Sequence, residues 1–247
     1  MTDVRETGSS ALVIVPTYNE IENLPIIVPA IRASIPHAHI LVVDDDSPDG
    51  TGDLADTFAS LDEHVFVLHR EVKSGLGDAY LAGFEWALAR SYQVVVEMDA
   101  DGSHPADALP ALIAAVRPGS GWGLSIGSRW VAGGSVIDWP WHRELLSRAG
   151  NAYARVMLGL AVKDATAGFR AFGPGVLEDI HLENVESHGY CFQIDMTRRV
   201  RNAGYLETEI PIVFREREHG QSKMSGSIVR EAMGKVTVWG LARLFRR

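Results

Sequence analysis

Five short apolar runs rich in β-branched residues recur along the chain: Leu12–Val15, Ile40–Val43, Val65–Leu68, Val94–Met98 and Leu124–Ile126. Helix-spaced segments lie between them. Ile21, Leu24, Val28 and Ile31 share one helical face, as do Leu109, Leu112, Ile113 and Val116; Ala79, Ala82, Phe84 and Ala87 do so more loosely. Strands alternating with helices restrict the fold to an α/β architecture, a mostly parallel sheet with helices on both faces. In such sheets ligands bind at the carboxyl ends of the strands.

The residues that leave the runs are therefore informative. The first run ends in VPTYNE (15–20), the second in VVDDDSPDGT (42–51) and the fourth in EMDADGSHP (97–105). Parallel strands would bring these acidic clusters to one edge. Asp46, Asp49 and Asp53 suit turns and helix caps. Asp99 and Asp101 differ, because two like charges this close are costly without a cation between them. A hard divalent cation that shares its shell with substrate phosphates removes that cost. Receiver and phosphatase-like domains also cluster aspartates at strand ends, but the Lys and Thr/Ser that such chemistry needs opposite the Asp cannot be placed here.

The 247 residues fit one large domain, and no linker or internal repeat divides them. A net charge of −9 argues against nucleic acid as a partner. The charge is uneven: from Arg215 to Arg247 eight Lys/Arg stand against three Glu, which suits an anionic partner or membrane surface. Cys191 is the only cysteine, so no intrachain disulfide can form. Residues 1–10 read as a polar tail without a signal peptide, and no apolar run reaches the roughly 20 residues of a membrane span.

Seven blocks occur in order: VIVPTYNE (13–20), VVDDDSPDGT (42–51), SGLGDAY (74–80), EMDADGSHP (97–105), IGSRWVAGG (126–134), DATAGFRAF (164–172) and HGQSKM (219–224). Together they resemble the inverting nucleotide-sugar glycosyltransferases of family 2 with the GT-A fold, and among these the polyprenol (dolichol) phosphate mannosyltransferases. The resemblance implies a Rossmann-like catalytic domain over residues 11–226. It implies GDP-mannose as donor, a polyprenol or dolichol monophosphate as acceptor, and Mg²⁺ or Mn²⁺ as cofactor. UDP-glucose as donor, or an inactive scaffold subunit, are the alternatives.

Carried onto this sequence, Pro16, Tyr18, Glu20, Val43, Asp44 and Asp45 match the nucleoside-binding positions. Asp99 and Asp101 match the metal ligands, with Ala100 as a backbone contact between them. Many relatives place a Gln ligand where this chain has Ser103, a poorer donor; His104 follows it. Arg129, Arg217 and Lys223 match phosphate-binding positions, and planar guanidinium suits a bidentate hold on phosphate. Gly220 and Gly226 bracket the loop that carries Lys223. Arg143 and Ser147, in WHRELLSRAGN (141–151), match the site for the acceptor phosphate, shared with Arg129. Asp101, Arg129 and Lys223 are the catalytic candidates, and Asp164 joins Asp101 as a candidate base.

The segment 227–247 supplies the remaining expectation. Ile228, Ala232, Val236, Trp239 and Leu244 keep roughly helical spacing beside basic residues. Such a helix can lie on an anionic membrane or pack on the core. The implied location is cytoplasmic, peripheral at the cytoplasmic face of a membrane.

Overall fold

The structure is a computed structural model that describes residues 11–185, 187, 190–216 and 226–245. The polar tail and the loop carrying Arg217, Gly220 and Lys223 lie outside the described residues.

In chain order the elements are β1 (Ala11–Thr17), α1 (Leu24–Ser34), β2 (His39–Asp44), α2 (Thr51–Leu61), β3 (Val65–His69), α3 (Leu76–Leu88) and β4 (Val94–Glu97). Then come α4 (Leu109–Val116), β5 (Leu124–Ser128), β6 (Ser135–Ile137), α5 (Trp141–Leu158), β7 (Arg170–Phe172) and α6 (Val176–Asp179). The last are α7 (Tyr190–Asn202), β8 (Glu207–Pro211), β9 (Val213–Arg215) and α8 (Gly226–Phe245).

A 7-stranded sheet runs in the order β3-β2-β1-β4-β7-β5-β8, and a second sheet of two strands pairs β6 with β9. β7 is antiparallel to both β4 and β5. The other pairings in the large sheet are parallel.

The alternation of side chains along a strand splits the core into two layers. Leu12, Ile14, Leu41 and Val43 face α3, which contributes Ala79, Tyr80, Phe84 and Ala87. Val13, Val15, Ile40 and Val42 face α1 and α4, with Leu24, Val28, Ile31, Leu109 and Leu112. Both faces are covered, so these strands read as continuous apolar runs. Gly83 lets α3 approach the sheet: a Cβ there would lie 2.7 Å from Ile14 Cγ2. Ile21, expected on the α1 face, lies outside the helix and is exposed.

Register brings the strand ends together. Thr17 of β1 pairs with Asp44 of β2, and Asp44 with His69 of β3. Glu97, the last residue of β4, pairs with Ile14. The turn with Asp99 and Asp101 therefore leaves the same edge as VPTYNE and VVDDD.

α8 turns inward. Val236 is buried, Trp239 is half-buried beneath Arg198 of α7, and a Cβ at Gly240 would lie 2.7 Å from Met157 Cε of α5. The face that the sequence offered to a membrane is, at Val236 and Trp239, the face packed on the domain. α8 still turns Met233, Val238 and Leu241 outward, and α5 carries a second outward apolar surface. Trp141, Leu145 and Val156 are 76%, 59% and 77% exposed. With Ala149 and Ala152 they form one stripe, because 141, 145, 149, 152 and 156 recur at helical spacing.

Candidate active site

The loops after β1 and β2 are tied to each other. Thr17 Oγ1 donates to Asp44 Oδ1 at 2.9 Å, and Ser47 donates to the same carboxylate through its backbone N–H and its hydroxyl. Asp44 is thus buried as the anchor of this turn. Asp49 accepts from Thr51 and from the Ile21 N–H, a capping role. Asp45 takes Arg70 Nη1 at 2.6 Å; burial nevertheless pushes its carboxyl up from the ordinary value, against the Arg70 charge. Lys73 Nζ lies 3.4 Å above the Tyr18 ring, and Glu20 Oε2 accepts from Asn23 Nδ2 at 2.7 Å. A cavity of about 300 Å³ opens beside this turn, lined by Asp44, Asp46, Asp53, His69 and Arg70 among others. It contains neither Asp99 nor Arg129.

Asp99 and Asp101 follow β4 in a tight turn whose Gly102 has φ +75°, a conformation glycine adopts without a Cβ penalty. Asp101 Oδ1 accepts the Ser103 N–H at 3.1 Å. Asp99 is held on three sides. Tyr80 Oη donates to Oδ1 at 3.0 Å, the Asp99 N–H donates to His104 Nδ1 at 3.0 Å, and His104 Nε2 lies 3.9 Å from Oδ2.

Since Nδ1 accepts, the neutral imidazole carries its proton on Nε2. Burial holds the His104 pKa below the ordinary value, although Asp99 and Asp101 pull the other way. Burial, and then Asp99, pushes the Tyr80 hydroxyl well up, so it stays a donor.

Two carboxylates on one turn fit a hard divalent cation. Ser103 Oγ, on the same turn, is buried without a hydrogen-bond partner among the described residues. No group of three His, Cys, Asp or Glu is placed to hold a metal among the described residues. A cation on Asp99 and Asp101 would thus take the rest of its shell from a hydroxyl, water or phosphate.

The second half of the site centres on Arg129, just after β5. Its Nε donates to Asp164 Oδ2 at 2.8 Å and its Nη2 to Asp164 Oδ1 at 2.6 Å, and Nη2 also reaches Thr166 Oγ1 at 3.0 Å. Asp164 is fully buried, and it also accepts the Arg129 N–H and a bond from Asn151 of α5. This saturated carboxylate holds Arg129 in place and is poorly set to act as a base.

The Arg129 guanidinium carbon lies 5.3–5.5 Å from the rings of Trp130, Trp139 and Phe214. Arg143 sits over Trp139 at 4.1 Å and pairs with Glu216. Ser147 shares α5 with Arg143, and its carbonyl accepts from Asn151. Phe214 of β9 joins the two halves, in edge contact with His104 at 5.8 Å and Trp139 at 5.5 Å.

Of the residues anticipated from sequence, the structure gathers Asp99, Asp101 and Ser103 in one turn. It gathers Arg129 and Arg143 around one aromatic cluster. Tyr80, Trp130, Trp139, Asn151, Thr166 and Phe214 went unassigned; Trp139 and Phe214 lie outside every recognised block.

Glycosyl transferase family 2 matches residues 12–180. A polyprenol monophosphomannose synthase of Mycolicibacterium smegmatis is 57% identical over 231 residues, 93% of this chain and 86% of the relative. An undecaprenyl-phosphate mannosyltransferase of Micrococcus luteus is 55% identical over 231 residues, 94% of each chain. Among solved structures, glucosyl-3-phosphoglycerate synthase from Mycobacterium tuberculosis, in complex with Mn²⁺, UDP and phosphoglyceric acid, aligns at TM-score 0.69 and 20% identity, covering 96% of this chain and 82% of that one. A mannosyltransferase from Pyrobaculum calidifontis in complex with GDP-Man and Mn²⁺ aligns at 0.60 and 19% identity, covering 96% and 64%. These likenesses show the GT-A fold, and on the match over residues 12–180 and the two relatives above half identity, the chain belongs to glycosyl transferase family 2.

Proposed function

We propose that this chain transfers mannose from GDP-mannose to a polyprenol monophosphate with inversion, giving polyprenyl phosphate mannose and GDP. The observation that carries the reading is the similarity, at 57% and 55% identity over nearly the whole chain, to enzymes named for mannose transfer to polyprenol phosphates.

The site is chemically suited to it. A phosphate monoester has a second pKa near ~6, so the acceptor arrives ionised and needs little help from a base. What it needs is a place to sit beside the sugar, and charge to receive the departing diphosphate. We assign the acceptor phosphate to Arg129, Arg143 and Ser147, and the nucleoside to Pro16, Tyr18, Glu20, Val43 and Asp45, with Asp44 shaping that turn. Asp99 and Asp101, with Ser103 beside them and the Ala100 backbone between, would hold Mg²⁺ or Mn²⁺ against the diphosphate. Arg217 and Lys223 are assigned to the diphosphate from sequence alone.

The exposed stripe runs along the same helix that carries Arg143 and Ser147. We read it as the surface that meets the membrane from which the lipid is drawn. No helix among the described residues is long and apolar enough to cross a membrane, so contact is peripheral on this reading.

Calorimetric titration of GDP-mannose and UDP-glucose, each with Mg²⁺, Mn²⁺ or EDTA, tests the donor. Metal-dependent binding of GDP-mannose that Asp99→Ala/Asp101→Ala abolishes is expected. Preference for UDP-glucose would change the sugar, and binding of neither would remove the reading.

A further inference from the structure

Next to Trp130, which also borders the proposed acceptor site, lies a cavity of about 170 Å³ lined by Trp130, Arg148, Ala152, Arg155 and Lys163. Three cations and no acid line it, on a chain whose net charge is −9. Two carboxylates contact the lining residues, and neither takes the side chain of Arg155 or Lys163. Glu144 pairs with Arg148 at 2.8 Å along the exposed face of α5, and Glu209 accepts the backbone N–H groups of Lys163 and Asp164. Arg155 and Lys163 have no carboxylate partner among the described residues. Arg148 stacks on the Trp130 ring at 4.2 Å, which fixes one wall. Trp130 itself is 9% exposed, and its indole N–H has no acceptor among the described residues.

Position selects the anion. Arg148, Ala152 and Arg155 stand on α5, and Ala152 is also part of the exposed stripe of Trp141, Leu145, Ala149 and Val156. A ligand here has apolar surface along one side and a cationic pocket at its end. We propose that the Trp130–Arg148–Arg155–Lys163 pocket takes the phosphodiester headgroup of an anionic membrane lipid, separate from the acceptor's phosphate. The proposal rests on the reading of α5 as a membrane-facing helix. Basic pockets beside apolar helix faces favour such headgroups, and each Lys or Arg near an anionic surface strengthens binding severalfold.

The test compares the whole chain with Arg155→Ala/Lys163→Ala, and with Arg90→Ala as a remote single-charge control. Vesicles of phosphatidylcholine alone, and of phosphatidylcholine mixed equally with phosphatidylglycerol, are sedimented with each protein. Transfer to a short-chain polyprenyl phosphate is measured in neutral detergent. The double variant should lose roughly tenfold or more in affinity for the anionic vesicles, keep its affinity for neutral ones, and keep its transfer rate in detergent.

Unchanged binding of the double variant to anionic vesicles would overturn the proposal. So would loss of transfer in detergent, which would make the pocket part of the acceptor site. Binding of inorganic phosphate that the double variant loses, without any difference between the two vesicles, would make it a free-phosphate site instead. Absence of mannosyl transfer by the unaltered chain would count against the proposed function alone, because the vesicle comparison is read separately.

Discussion

The Asp99 backbone N–H donates to His104 Nδ1 at 3.0 Å, so the imidazole turns its Nε2–H toward the same residue's carboxylate, 3.9 Å away. One side chain thereby holds both ends of Asp99. It is itself held by stacking on Phe169 at 5.0 Å. This makes His104 an outer support for the expected cation site, and its Nδ1 is unavailable as a ligand. His104→Phe should keep the stack and lower Mn²⁺ affinity about 10- to 100-fold, the range for supports of metal ligands. His104→Asn, whose amide oxygen can accept near the Nδ1 position, should recover part of it. Mn²⁺ titration followed by electron paramagnetic resonance measures this without turnover; equal affinities for all three proteins would refute it.

Asp164 and Arg129 make a second such unit, buried at 2.6 and 2.8 Å. Removing one partner of a buried pair typically costs about 3–5 kcal/mol. Asp164→Ala should lower the melting temperature strongly and lower transfer with it. Asp164→Asn keeps the shape, and should lower transfer more than it lowers stability because Arg129 is no longer gripped at both oxygens. Parallel thermal melts and transfer rates separate the two effects.

Glu97 and Arg170 are both fully buried, 3.6 Å apart in the middle of the sheet. Burial pushes the Glu97 carboxyl up to about 8, against Arg170 and the Gln193 amide. The unfolded chain releases this proton near pH 4.5 and the folded chain near 8. Between these values the native state binds the extra proton, so this group's contribution to stability falls as pH rises. Glu97→Gln should remove that part of the slope: the melting-temperature difference, variant minus wild type, should rise from pH 5 to pH 8. A flat or falling difference would place the ionised form in the native state throughout.

The α5 stripe offers a simpler test. Leu145→Glu/Val156→Glu puts charge on two residues that touch little of the core, so the melting temperature should hardly change. Vesicle affinity should fall about tenfold or more, as expected when apolar surface loses its burial in the interface. Flotation assays read this directly, and unchanged flotation would move the membrane contact elsewhere.

Much of this was legible in the chain. β1 to β5 were visible because strands buried on both faces must be apolar throughout. β7 was not, because it is only Arg170–Phe172, and it opens on an arginine, a charge in the middle of the sheet made tolerable by the carbonyls of Ala165, Ala167 and Gln193 that accept from it. β6 and β9 are three residues each and show no period. Asp99 and Asp101 stood out because their charges required an explanation. The aromatic cluster around Arg129 did not, since Trp130, Trp139 and Phe214 come from separate segments that only the fold assembles. Helical spacing in 227–247 located α8, but spacing cannot say which side of a helix is inward: Val236 packs on the domain, while Val238 and Leu241 stay exposed.

The central claim is tested most directly by incubating the purified chain with GDP-mannose, a polyprenyl phosphate and Mg²⁺ or Mn²⁺, and weighing the lipid product by mass spectrometry. The account predicts a polyprenyl phosphate one hexose heavier, GDP in equal amount, and neither product from Asp99→Ala/Asp101→Ala or with EDTA. A folded chain that binds GDP-mannose yet leaves the lipid phosphate unmodified, or product formation undiminished in the double variant, would contradict it.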